Sequence, residues 1–541
     1  MKRGTRKIVL VWLLGLVMVG GLVVSAEASD SMLRWVIDYP VSVDPCVGMP
    51  KFVSFQAHVN TYSPLVYPTT DGGVKPHVAE RWEKSEDGLT YTFYLRPGIL
   101  FSNGHELMAD DVAFSFERLM TIGEQSAYHF KGTFESVEVV DDYTVRIHLE
   151  KTYGPFLKAL IAVFILDKGE VTANVVEPGP YGEFGDYGTE YLRSRSVGSG
   201  AYMVKEFDPR DHLILEKNPY HSFESSPHSP DLVRIGSNID PVAVQTMIKN
   251  RELEISDRWQ PAESLAIMER FEGVEVDGWL APSVLDLMLN TRKAPTDDIH
   301  IRKALSWAFD YETGVEIFPG YILTQGPVPS DLPGWNPDVF QYRQDLDKAK
   351  EEVAKSKYAG KLDEYPIELS IWSGSVALEK LALLFQANAA MVGLKVEIIS
   401  QPQGVWFDNM SHEETTHHIT LCWNMASYPD AGARLLKYHS GAAGTHEGCE
   451  WLLDPELDEL IVDAIQTADD DERTTKYYAL QDMIVDLAPT IWANQEFERH
   501  AYQAHYVNWP QLEKPLPVIG YNFDARFIEV FPEKRQELLG K

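Results

Sequence analysis

Clustered histidines and acids are the first residues in this sequence that could do chemistry. The segment from His412 to His418 reads His-Glu-Glu-Thr-Thr-His-His. A zinc-binding helix of the protease type needs its second histidine four positions after the first, and Thr416 occupies that position. A metal site built from His412, His417 or His418 is therefore only an alternative to an exposed polar loop or helix end. We predict no bound metal and no cofactor.

Local signatures of catalysis are missing from the sequence. It contains no G-x-S-x-G elbow, Walker A loop, G-x-G-x-x-G fingerprint or C-x-x-C pair. Adjacent acids such as Asp110-Asp111 and Asp469-Asp470-Asp471 are numerous, and helix-start charges or solvated faces explain them without an acid–base role. We therefore predict no catalytic residue, which disfavours a secreted enzyme.

Aromatic residues are more informative than the acids. The chain has 13 tryptophans, and several lie in its second half: Trp372, Trp406, Trp423, Trp451 and Trp492. Flat rings can stack on sugar faces or form the wall of a cleft for peptide side chains. Core packing is the alternative for each ring. Trp372, Trp406 and Trp423 are candidates for ligand contact.

Alternating strands and helices must position these residues. Leu89 to Leu95 alternates apolar and polar residues after the turn signal Ser85-Glu86-Asp87-Gly88, which predicts a hairpin from Trp82 to Phe101. Asp110 and Asp111 then open an amphipathic helix. A second helix is predicted after Asp297 and Asp298. The class is mixed α/β.

A strand–helix–strand unit is predicted in the second half of the chain. Ile367, Leu369 and Ile371 alternate as a strand, and Val396 and Ile398 alternate again after a helical stripe that ends near Gly393. With 541 residues and 44% hydrophobic content, the chain can build two or more cores, because single cores stop growing near ~250–300 residues. We expect a protein with more than one lobe.

The N-terminus has the features of an export signal. Basic residues precede an apolar run from Ile8 to Val24, and Ala26-Glu27-Ala28 has the form of a signal-peptidase site. We predict a signal peptide over residues 1–28, with an uncleaved anchor as the alternative. The first cysteine is Cys46, too far downstream to carry a lipid. The exported chain is expected to be soluble.

Charge and cysteine content limit the partners. A formal net charge of -33 disfavours nucleic acid and anionic membranes as partners. The three cysteines are Cys46, Cys422 and Cys449, and an oxidising compartment permits one bridge among them. A Cys422–Cys449 bridge and three buried thiols are both open at this stage.

A series of short motifs makes the sequence recognisable. In chain order they are Tyr62-Ser63-Pro64-Leu65-Val66-Tyr67, Val74-Lys75-Pro76-His77-Val78-Ala79-Glu80-Arg81-Trp82, Arg96-Pro97-Gly98-Ile99-Leu100-Phe101, Ala109-Asp110-Asp111-Val112, Gly198-Ser199-Gly200-Ala201-Tyr202, Leu215-Glu216-Lys217-Asn218-Pro219-Tyr220, Leu289-Asn290-Thr291, Ile301-Arg302-Lys303-Ala304-Leu305 and Gly334-Trp335-Asn336-Pro337. Together they resemble the bacterial extracytoplasmic solute-binding proteins of family 5, the dipeptide, oligopeptide and nickel-binding type.

The resemblance covers nearly the whole exported chain and implies a fold. It implies an α/β protein with the large type II periplasmic-binding-protein architecture, in which two lobes close over a cleft. Lobe 1 is expected at residues 29–291 with an inserted subdomain at about 76–196, and lobe 2 at 292–502. Residues 503–541 are expected to return to lobe 1. The family implies a periplasmic monomer that delivers its solute to the permease subunits of an ABC importer.

The resemblance also points to a site, with one departure. Peptide-binding relatives place an aspartate shortly after a tryptophan of the second lobe, where it pairs with the α-ammonium group of the ligand. The corresponding stretch here is Trp423 to Asp430, and the expected aspartate position holds Ala426. Either Asp430 takes over that contact, or the ligand lacks an ammonium group, as an oligosaccharide does.

The predicted cleft residues follow from this stretch. Trp423 is the expected stacking wall, Asn424, Ser427 and Tyr428 are expected hydrogen-bonding groups, Asp430 is an expected ammonium partner and Arg434 an expected anion contact. The favoured ligand is a peptide, with an oligosaccharide as the main alternative and nickel complexes and opines behind it. A secreted enzyme and a ligand sensor on the same fold are the alternative functional classes.

Overall fold

The computed structural model describes residues 31–37, 42–48, 52–237 and 240–540. The predicted signal peptide, residues 1–28, lies outside them. Within these ranges no helix is both long and apolar enough to cross a bilayer.

Strands run through the whole described chain. In chain order they are β1 (Met32–Val36), β2 (Ser63–Pro64), β3 (Val66–Pro68), β4 (Val74–Pro76), β5 (Ala79–Lys84), β6 (Thr90–Leu95), β7 (Phe134–Asp141), β8 (Thr144–Leu149), β9 (Phe164–Ile165), β10 (Tyr202–Asp208), β11 (His212–Lys217), β12 (Leu232–Gly236), β13 (Glu275–Leu289), β14 (Ile367–Trp372), β15 (Val396–Gln401), β16 (Ile419–Met425), β17 (Thr490–Tyr502), β18 (Val507–Asn508) and β19 (Glu529–Val530).

Helices alternate with these strands. They are α1 (Phe52–Thr61), α2 (Ala109–Ile122), α3 (Phe156–Ala159), α4 (Lys168–Ala173), α5 (Thr189–Leu192), α6 (Pro241–Lys249), α7 (Ala262–Met268), α8 (Ile299–Ala308), α9 (Tyr311–Glu316), α10 (Leu346–Lys355), α11 (Val376–Ala390), α12 (Gln403–Met410), α13 (Gly432–Leu435), α14 (Pro455–Gln466), α15 (Asp470–Leu487) and α16 (Pro532–Leu538).

Three larger sheets organise the described strands. Sheet A has the order β1-β12-β11-β10, sheet B the order β15-β14-β16-β13-β17, and sheet C the order β5-β6-β8-β7. Sheets A and B are mixed, because β1 runs parallel to β12 and β14 runs parallel to β15 and β16, whereas the other pairs are antiparallel. Sheet C is antiparallel throughout.

Two long strands connect sheet B with the part of the molecule around sheet A. At one end of the β13–β17 pair, Val284 to Met288 lie opposite Thr490 to Gln495 within sheet B. At the other end, Trp279, Tyr502 and neighbouring residues pack in an apolar core with Trp35, Leu213 and Ile235 of sheet A. A register shift between Leu280 and Val284 separates the two ends.

The elements predicted from the sequence are confirmed. Strands β5 and β6 form the hairpin, and β14, α11 and β15 form the parallel strand–helix–strand unit. Helix α2 begins at Ala109, and Oδ2 of Asp111 accepts a hydrogen bond from the backbone N–H of Met108. Helix α8 begins after Asp298, whose side chain accepts from the N–H of His300. Asp298 thus satisfies a free N–H of the first turn of its helix, whereas Asp111 binds the N–H of the residue that precedes its helix.

Candidate functional site

The predicted site residues lie on and after strand β16, where they face different neighbours. Successive side chains of a strand point to opposite faces of the sheet, so Trp423 and Asn424 diverge. In the sheet register Trp423 lies opposite Leu285, and Asn424 lies opposite Val284. The predicted residues accordingly divide into a buried polar group, a set of contacts with the segment around sheet C, and an aromatic group.

Asn424 and Arg434 belong to a buried polar group centred on Asp286. Oδ2 of Asp286 accepts hydrogen bonds from Asn424 Nδ2 at 2.8 Å, Arg434 Nη2 at 3.0 Å and Lys437 Nζ at 2.8 Å. Lys437 also lies 3.0 Å from Oε1 of Glu450. Burial favours the neutral acid, but the nearby cations outweigh it and lower the pKa of Asp286. In this structure Asn424 and Arg434 hold the protein's own carboxylate.

Ser427 and Tyr428 contact side chains from the segment that follows helix α2. The hydroxyl of Ser427 lies 3.0 Å from the Tyr128 hydroxyl and 2.9 Å from Nε2 of His129. The Tyr153 hydroxyl donates to the Tyr428 hydroxyl at 3.0 Å. Burial lowers the pKa of His129 to about 3, so its ring is neutral at pH 7. These contacts join the regions of sheets B and C.

Asp430 already has cationic partners. Its Oδ2 lies 3.1 Å from Nζ of Lys158 and 3.8 Å from Nη2 of Arg473. Its Oδ1 accepts a hydrogen bond of 2.9 Å from the N–H of Gly432. The residue is 1% exposed. A ligand ammonium at Asp430 would have to compete with two protein cations.

Trp423 belongs to an aromatic group at the end of sheet B. Its ring centroid lies 5.3 Å from Trp259, 5.8 Å from Phe318 and 5.6 Å from Trp372. The first two contacts are edge-on and the third is tilted, which are favourable arrangements for aromatic pairs. Trp423 is half-buried, and its indole N–H has no hydrogen-bond partner among the described residues.

Trp406 lies behind this group in an apolar cluster. It is 1% exposed and contacts Trp372 edge-on with a centroid distance of 4.9 Å. The cluster also contains Met288, Met410, Cys422 and Cys449. Both cysteines are buried free thiols, as is Cys46, so the structure corresponds to the thiol alternative.

The histidine-rich segment makes structural contacts. Nδ1 of His417 lies 3.1 Å from Oε2 of Glu368, and Nε2 of His418 lies 3.0 Å from the carbonyl oxygen of Ala294. Burial lowers the pKa of His418. Within the described ranges no group of three or more His, Cys, Asp or Glu side chains is placed to hold a metal ion.

A charged group that sequence reasoning missed lies beside the aromatic group. Nη2 of Arg258 is 3.4 Å from Oε2 of Glu496, and Nη1 is 3.6 Å from Oε2 of Glu498. The guanidinium also lies 4.5 Å from the ring centroid of Trp259 and 3.8 Å from the sulfur of Met425. Glu496 and Glu498 are 1% and 2% exposed, so this cation serves two buried carboxylates.

The loop that carries Arg258 and Trp259 is held against strand β17. The N–H of Ser256 donates to the carbonyl of Ala501, and the N–H of Ala501 donates to Oγ of Ser256. Asp257 caps the loop by accepting from the N–H of Trp259 at 2.8 Å and from the Gln260 amide at 2.6 Å. Burial raises the pKa of Asp257 to about 6. These hydrogen bonds therefore hold the loop in a fixed position beside strand β17.

Asp331 forms a second missed feature through Gln495 of strand β17. The amide nitrogen of Gln495 donates to Oδ1 of Asp331 at 2.7 Å and to the carbonyl of Ala281 at 3.1 Å. The amide oxygen of Gln495 accepts from both the N–H and the hydroxyl of Ser330, each at 2.9 Å. All four hydrogen-bonding positions of this amide are used, which fixes its orientation.

The sequence carried a signal for part of these missed residues. Glu496 and Glu498 occupy alternate positions of a strand that is otherwise largely buried, and a charge repeated with period two in such a strand marks a polar patch on one face. Asp331 had no such signal, because it lies between Pro329 and Pro333 in a loop. Its partner Gln495 is 164 residues away in the chain.

Comparison with known proteins matches this chain to one family. The model of the bacterial extracellular solute-binding proteins, family 5 Middle, matches residues 73–445. The probable D,D-dipeptide-binding periplasmic protein DdpA of Escherichia coli is 25% identical over 506 residues, covering 91% of each chain. The Escherichia coli dipeptide-binding protein is 26% identical over 451 residues, covering 77% of this chain and 80% of its own.

Solved structures share the fold. The periplasmic binding protein DppA of Helicobacter pylori, in complex with the peptide STSA, superposes with a TM-score of 0.78 at 22% identity, covering 92% of this chain and 98% of its own. The substrate-binding protein CtaP of Listeria monocytogenes gives a TM-score of 0.79 at 21% identity, covering 92% and 99%. The mixed α/β architecture is thus that of the two-lobed periplasmic binding proteins, as the sequence predicted.

The family match covers more than two thirds of the chain and includes the segment from sheet C to strand β16. Its members bind solutes and are not enzymes. This chain belongs to family 5 of the bacterial extracellular solute-binding proteins.

Proposed function

We propose that the chain captures a short peptide between two lobes and delivers it to the permease of an ABC importer. The observation that carries this proposal is the set of contacts between residues 128–158 and residues 427–430, which includes the Lys158–Asp430 ion pair. These contacts can form only when residues 128–158 of the proposed lobe 1 lie against residues 427–430 of the proposed lobe 2. A solute held between the lobes would stabilise that closed arrangement through its differential affinity.

The proposed lobes follow the sheets. Lobe 1 comprises residues 29–291 with an inserted subdomain at about 76–196, and lobe 2 comprises residues 292–502. Sheet C lies within the subdomain, and the core around sheet A contains residues from Leu33 to Ala281 together with residues from Tyr502 to Val530. That shared core supports the return of residues 503–541 to lobe 1. Strands β13 and β17 are the proposed hinge.

Buried charges favour a peptide over a neutral sugar. Arg258, Glu496 and Asp331 lie at the junction of the proposed lobes, and a peptide brings an ammonium and a carboxylate that can pair with such groups. A neutral sugar offers no ionic group to these side chains. Two relatives support the same choice: the Escherichia coli relative is named a dipeptide-binding protein, and the Helicobacter pylori protein was solved in complex with the peptide STSA.

Location and partners complete the proposal. Residues 1–28 would direct export and be removed, leaving a periplasmic monomer. The net charge of -33 would keep it away from nucleic acids and from anionic lipid surfaces. The closed protein would be recognised by the membrane subunits of the importer.

A ligand screen tests the solute class. Purified protein without its leader would be melted in the presence of di- to pentapeptides, α- and β-linked oligosaccharides, nickel–histidine and opines, because a ligand of the folded state raises the melting temperature. We expect stabilisation by peptides and, with the best peptide, a smaller radius of gyration in X-ray scattering. Stabilisation by sugars alone would overturn the peptide assignment while leaving the solute-binding role intact.

A further inference from the structure

Helix α14 is closed at its C-terminus by two different parts of the chain. The last four carbonyl groups of an α-helix have no partner within the helix. Thr467, which follows α14 in an extended conformation with φ -69° and ψ 117°, binds two of them. Its hydroxyl donates to the carbonyl of Asp463 at 2.8 Å, and its N–H donates to that of Ala464 at 3.2 Å. The carbonyls of Ile465 and Gln466 are left to donors from elsewhere.

Those two carbonyls are bound by the inserted subdomain. The N–H of Gly154 donates to the carbonyl of Ile465 at 2.8 Å, and the hydroxyl of Thr152 donates to that of Gln466 at 2.6 Å. Thr152 and Gly154 precede helix α3 in the proposed subdomain, whereas α14 belongs to the proposed lobe 2, and 314 positions separate Thr152 from Gln466. Half of the cap of this helix thus comes from across the boundary between the proposed lobes.

Gly154 can make this contact because it has no side chain. An added Cβ would overlap the carbonyl oxygen of Thr467 and would lie 2.5 Å from Nη1 of Arg473. The φ of Gly154 lies outside the left-handed range, so the obstacle is steric. Arg473 is 3% exposed and donates to the carbonyl of Thr467 and to Oδ1 of Asp470, which holds it in place. A side chain at position 154 would therefore obstruct the joined arrangement and leave each lobe undisturbed.

Neighbours of this loop cross the same boundary through side chains. The Tyr153 hydroxyl donates to the Tyr428 hydroxyl at 3.0 Å, and Lys158 lies 3.1 Å from Asp430. Side chains of this length can follow small shifts between two surfaces. A hydrogen bond between a main-chain N–H and a main-chain carbonyl cannot, because it weakens steeply with distance and angle. The bond from Gly154 therefore fixes how closely the two surfaces approach.

The two capping bonds favour closure while keeping it reversible. When the lobes separate, water can bind the carbonyls of Ile465 and Gln466 and the donors of Thr152 and Gly154. Closure then gains only the net energy of exchanging water for protein partners, which is small for each hydrogen bond. Such a contact stabilises the closed state and still lets the protein open to release its solute.

We propose that Thr152 and Gly154 form a closure latch, which caps helix α14 only when the lobes are closed and does not contact the solute. The inference rests on the proposed capture of a solute by hinge closure and identifies two residues that position the lobes. A change in the latch alters the population of the closed state, so it changes the affinity for every solute by the same factor. That common factor distinguishes the latch from a residue that touches the ligand.

Gly154→Ala is the direct test, and Gly404→Ala is its matched control. Gly404 lies in helix α12 of the proposed lobe 2, its φ is also outside the left-handed range, and an added Cβ there would meet no atom of the described residues within 4 Å. The probes are the two chemically different solutes that give the largest thermal shifts in the screen described above. Calorimetry would give the dissociation constants, and X-ray scattering would give the radius of gyration.

We expect Gly154→Ala without solute to melt at the temperature of the wild type, because the obstacle is absent when the lobes are apart. It should bind both solutes more weakly by one common factor of at least about five, as expected for an overpacked contact. It should also remain extended at solute concentrations that make the wild type compact. Gly404→Ala should match the wild type in all three measurements.

Thr152→Val tests the second bond without adding bulk. The variant keeps the shape of the side chain and loses the hydroxyl donor, so both solutes should bind about two- to tenfold more weakly. Thr172→Val is the control, because the Thr172 hydroxyl donates to the carbonyl of Lys168 within the same subdomain. In the wild type, solute should also slow hydrogen exchange at the N–H of Gly154, which the latch buries in a hydrogen bond.

Each contrary result has a distinct meaning. If solute compacts the wild type and Gly154→Ala binds and compacts equally well, hinge closure stands and the latch is wrong. A loss of affinity for one solute alone would place the loop in the solute site. A lower melting temperature of Gly154→Ala without solute would show that the subdomain and the proposed lobe 2 are permanently joined. If no solute of the screen compacts the wild type, the proposed closure fails and the latch fails with it.

Discussion

The amino group of Lys158 lies 3.1 Å from Oδ2 of Asp430, and this ion pair joins the region of sheet C to the segment after strand β16. The side chains are 19% and 2% exposed, so water screens the pair only weakly. Tyr153 and Tyr428 form a hydrogen bond in the same interface. In the proposed two-lobed molecule, these groups meet only on closure.

Replacing Lys158 with Met should therefore weaken solute binding through the loss of the ion pair with Asp430, and not through a lost contact with the solute. The variant keeps the aliphatic part of the side chain but leaves Asp430 with the more distant Arg473, which should cost the closed state about 1–2 kcal/mol. Calorimetry with the best peptide should show a dissociation constant about five- to thirtyfold larger. X-ray scattering should show incomplete compaction below saturation.

Lys168→Met is the matched control for that variant. Lys168 pairs with Asp110 in the same subdomain, but its side chain and that of Asp110 are 42% and 61% exposed. Exposed pairs contribute roughly 0–1 kcal/mol. Affinity should remain unchanged in the control, and an equal loss in both variants would show that the Lys158–Asp430 pair has no special part in closure.

Replacing Trp423 with Ala should weaken peptide binding by about 1–3 kcal/mol if the ring forms a wall of the cleft. Trp82, also half-buried but in sheet C, offers a comparison, because Trp82→Ala removes a similar ring away from the proposed cleft. Both variants should lose stability in thermal melts. Only Trp423→Ala should lose affinity by calorimetry, and unchanged affinity in a folded variant would remove Trp423 from the site.

The sequence predicted local elements well because their signals are local. Ile367, Leu369 and Ile371 alternate within a few residues, and Asp298 precedes the helix that it caps. Such patterns directly indicate the side-chain periodicity of a strand or helix and the residue that caps a helix. The predicted strand–helix–strand unit and both helix starts are therefore present in the structure.

The site was harder to predict because its partners are distant in the chain. Asn424 and Arg434 were expected to meet a solute, but Asp286, 138 and 148 residues away, occupies both. Asp331 accepts its hydrogen bond from Gln495, which is 164 residues away in the chain. Spacing along the sequence carries no information on such pairs. Charged and aromatic groups do meet at the end of sheet B, and their contact with a solute stays a prediction.

Replacing Asp286 with Asn should destabilise the fold and leave peptide recognition unchanged. The substitution leaves Arg434 and Lys437 buried beside a neutral group, and breaking a buried pair costs about 3–5 kcal/mol. Because the pKa of Asp286 is lowered in the folded state, this stabilisation is present above the ordinary aspartate range and is lost only as pH falls through the lowered pKa. Urea unfolding at pH 7 and pH 4 should show a large loss in the variant at both values.

Asp463→Asn provides the comparison for Asp286. Asp463 pairs with Lys476 at the surface, with side-chain exposures of 61% and 30%. Its removal should cost less than about 1 kcal/mol. A similar small cost for Asp286→Asn would mean that the buried cations are neutralised by Glu450 alone.

Asp331 should make the ligand-free protein less stable as pH rises towards neutrality. Its carboxyl group titrates near 3.8 when unfolded and at about 7 when folded, so between these values the folded state holds a proton that the unfolded state has lost. The contribution of Asp331 to stability is fully present below the unfolded pKa and disappears as pH rises through about 7. Asp331→Asn removes this dependence and should be more stable than the wild type at pH 8.

The effect develops between about pH 4 and 7, and the comparison with Asp331→Asn at each pH separates it from the contributions of Asp111 and Asp257, whose pKa values are about 6 in the folded protein. A difference of about three pKa units corresponds to at most about 4 kcal/mol, since one unit is roughly 1.4 kcal/mol. Urea unfolding of the wild type, Asp331→Asn and Asp338→Asn at half-unit intervals would measure it. Asp338→Asn is the control, because Asp338 is an exposed acid seven positions further along the same loop region. Parallel pH profiles for all three proteins would contradict a raised pKa at Asp331, whereas a difference between the wild type and Asp331→Asn that grows from pH 4 to pH 7, with none for Asp338→Asn, would confirm it.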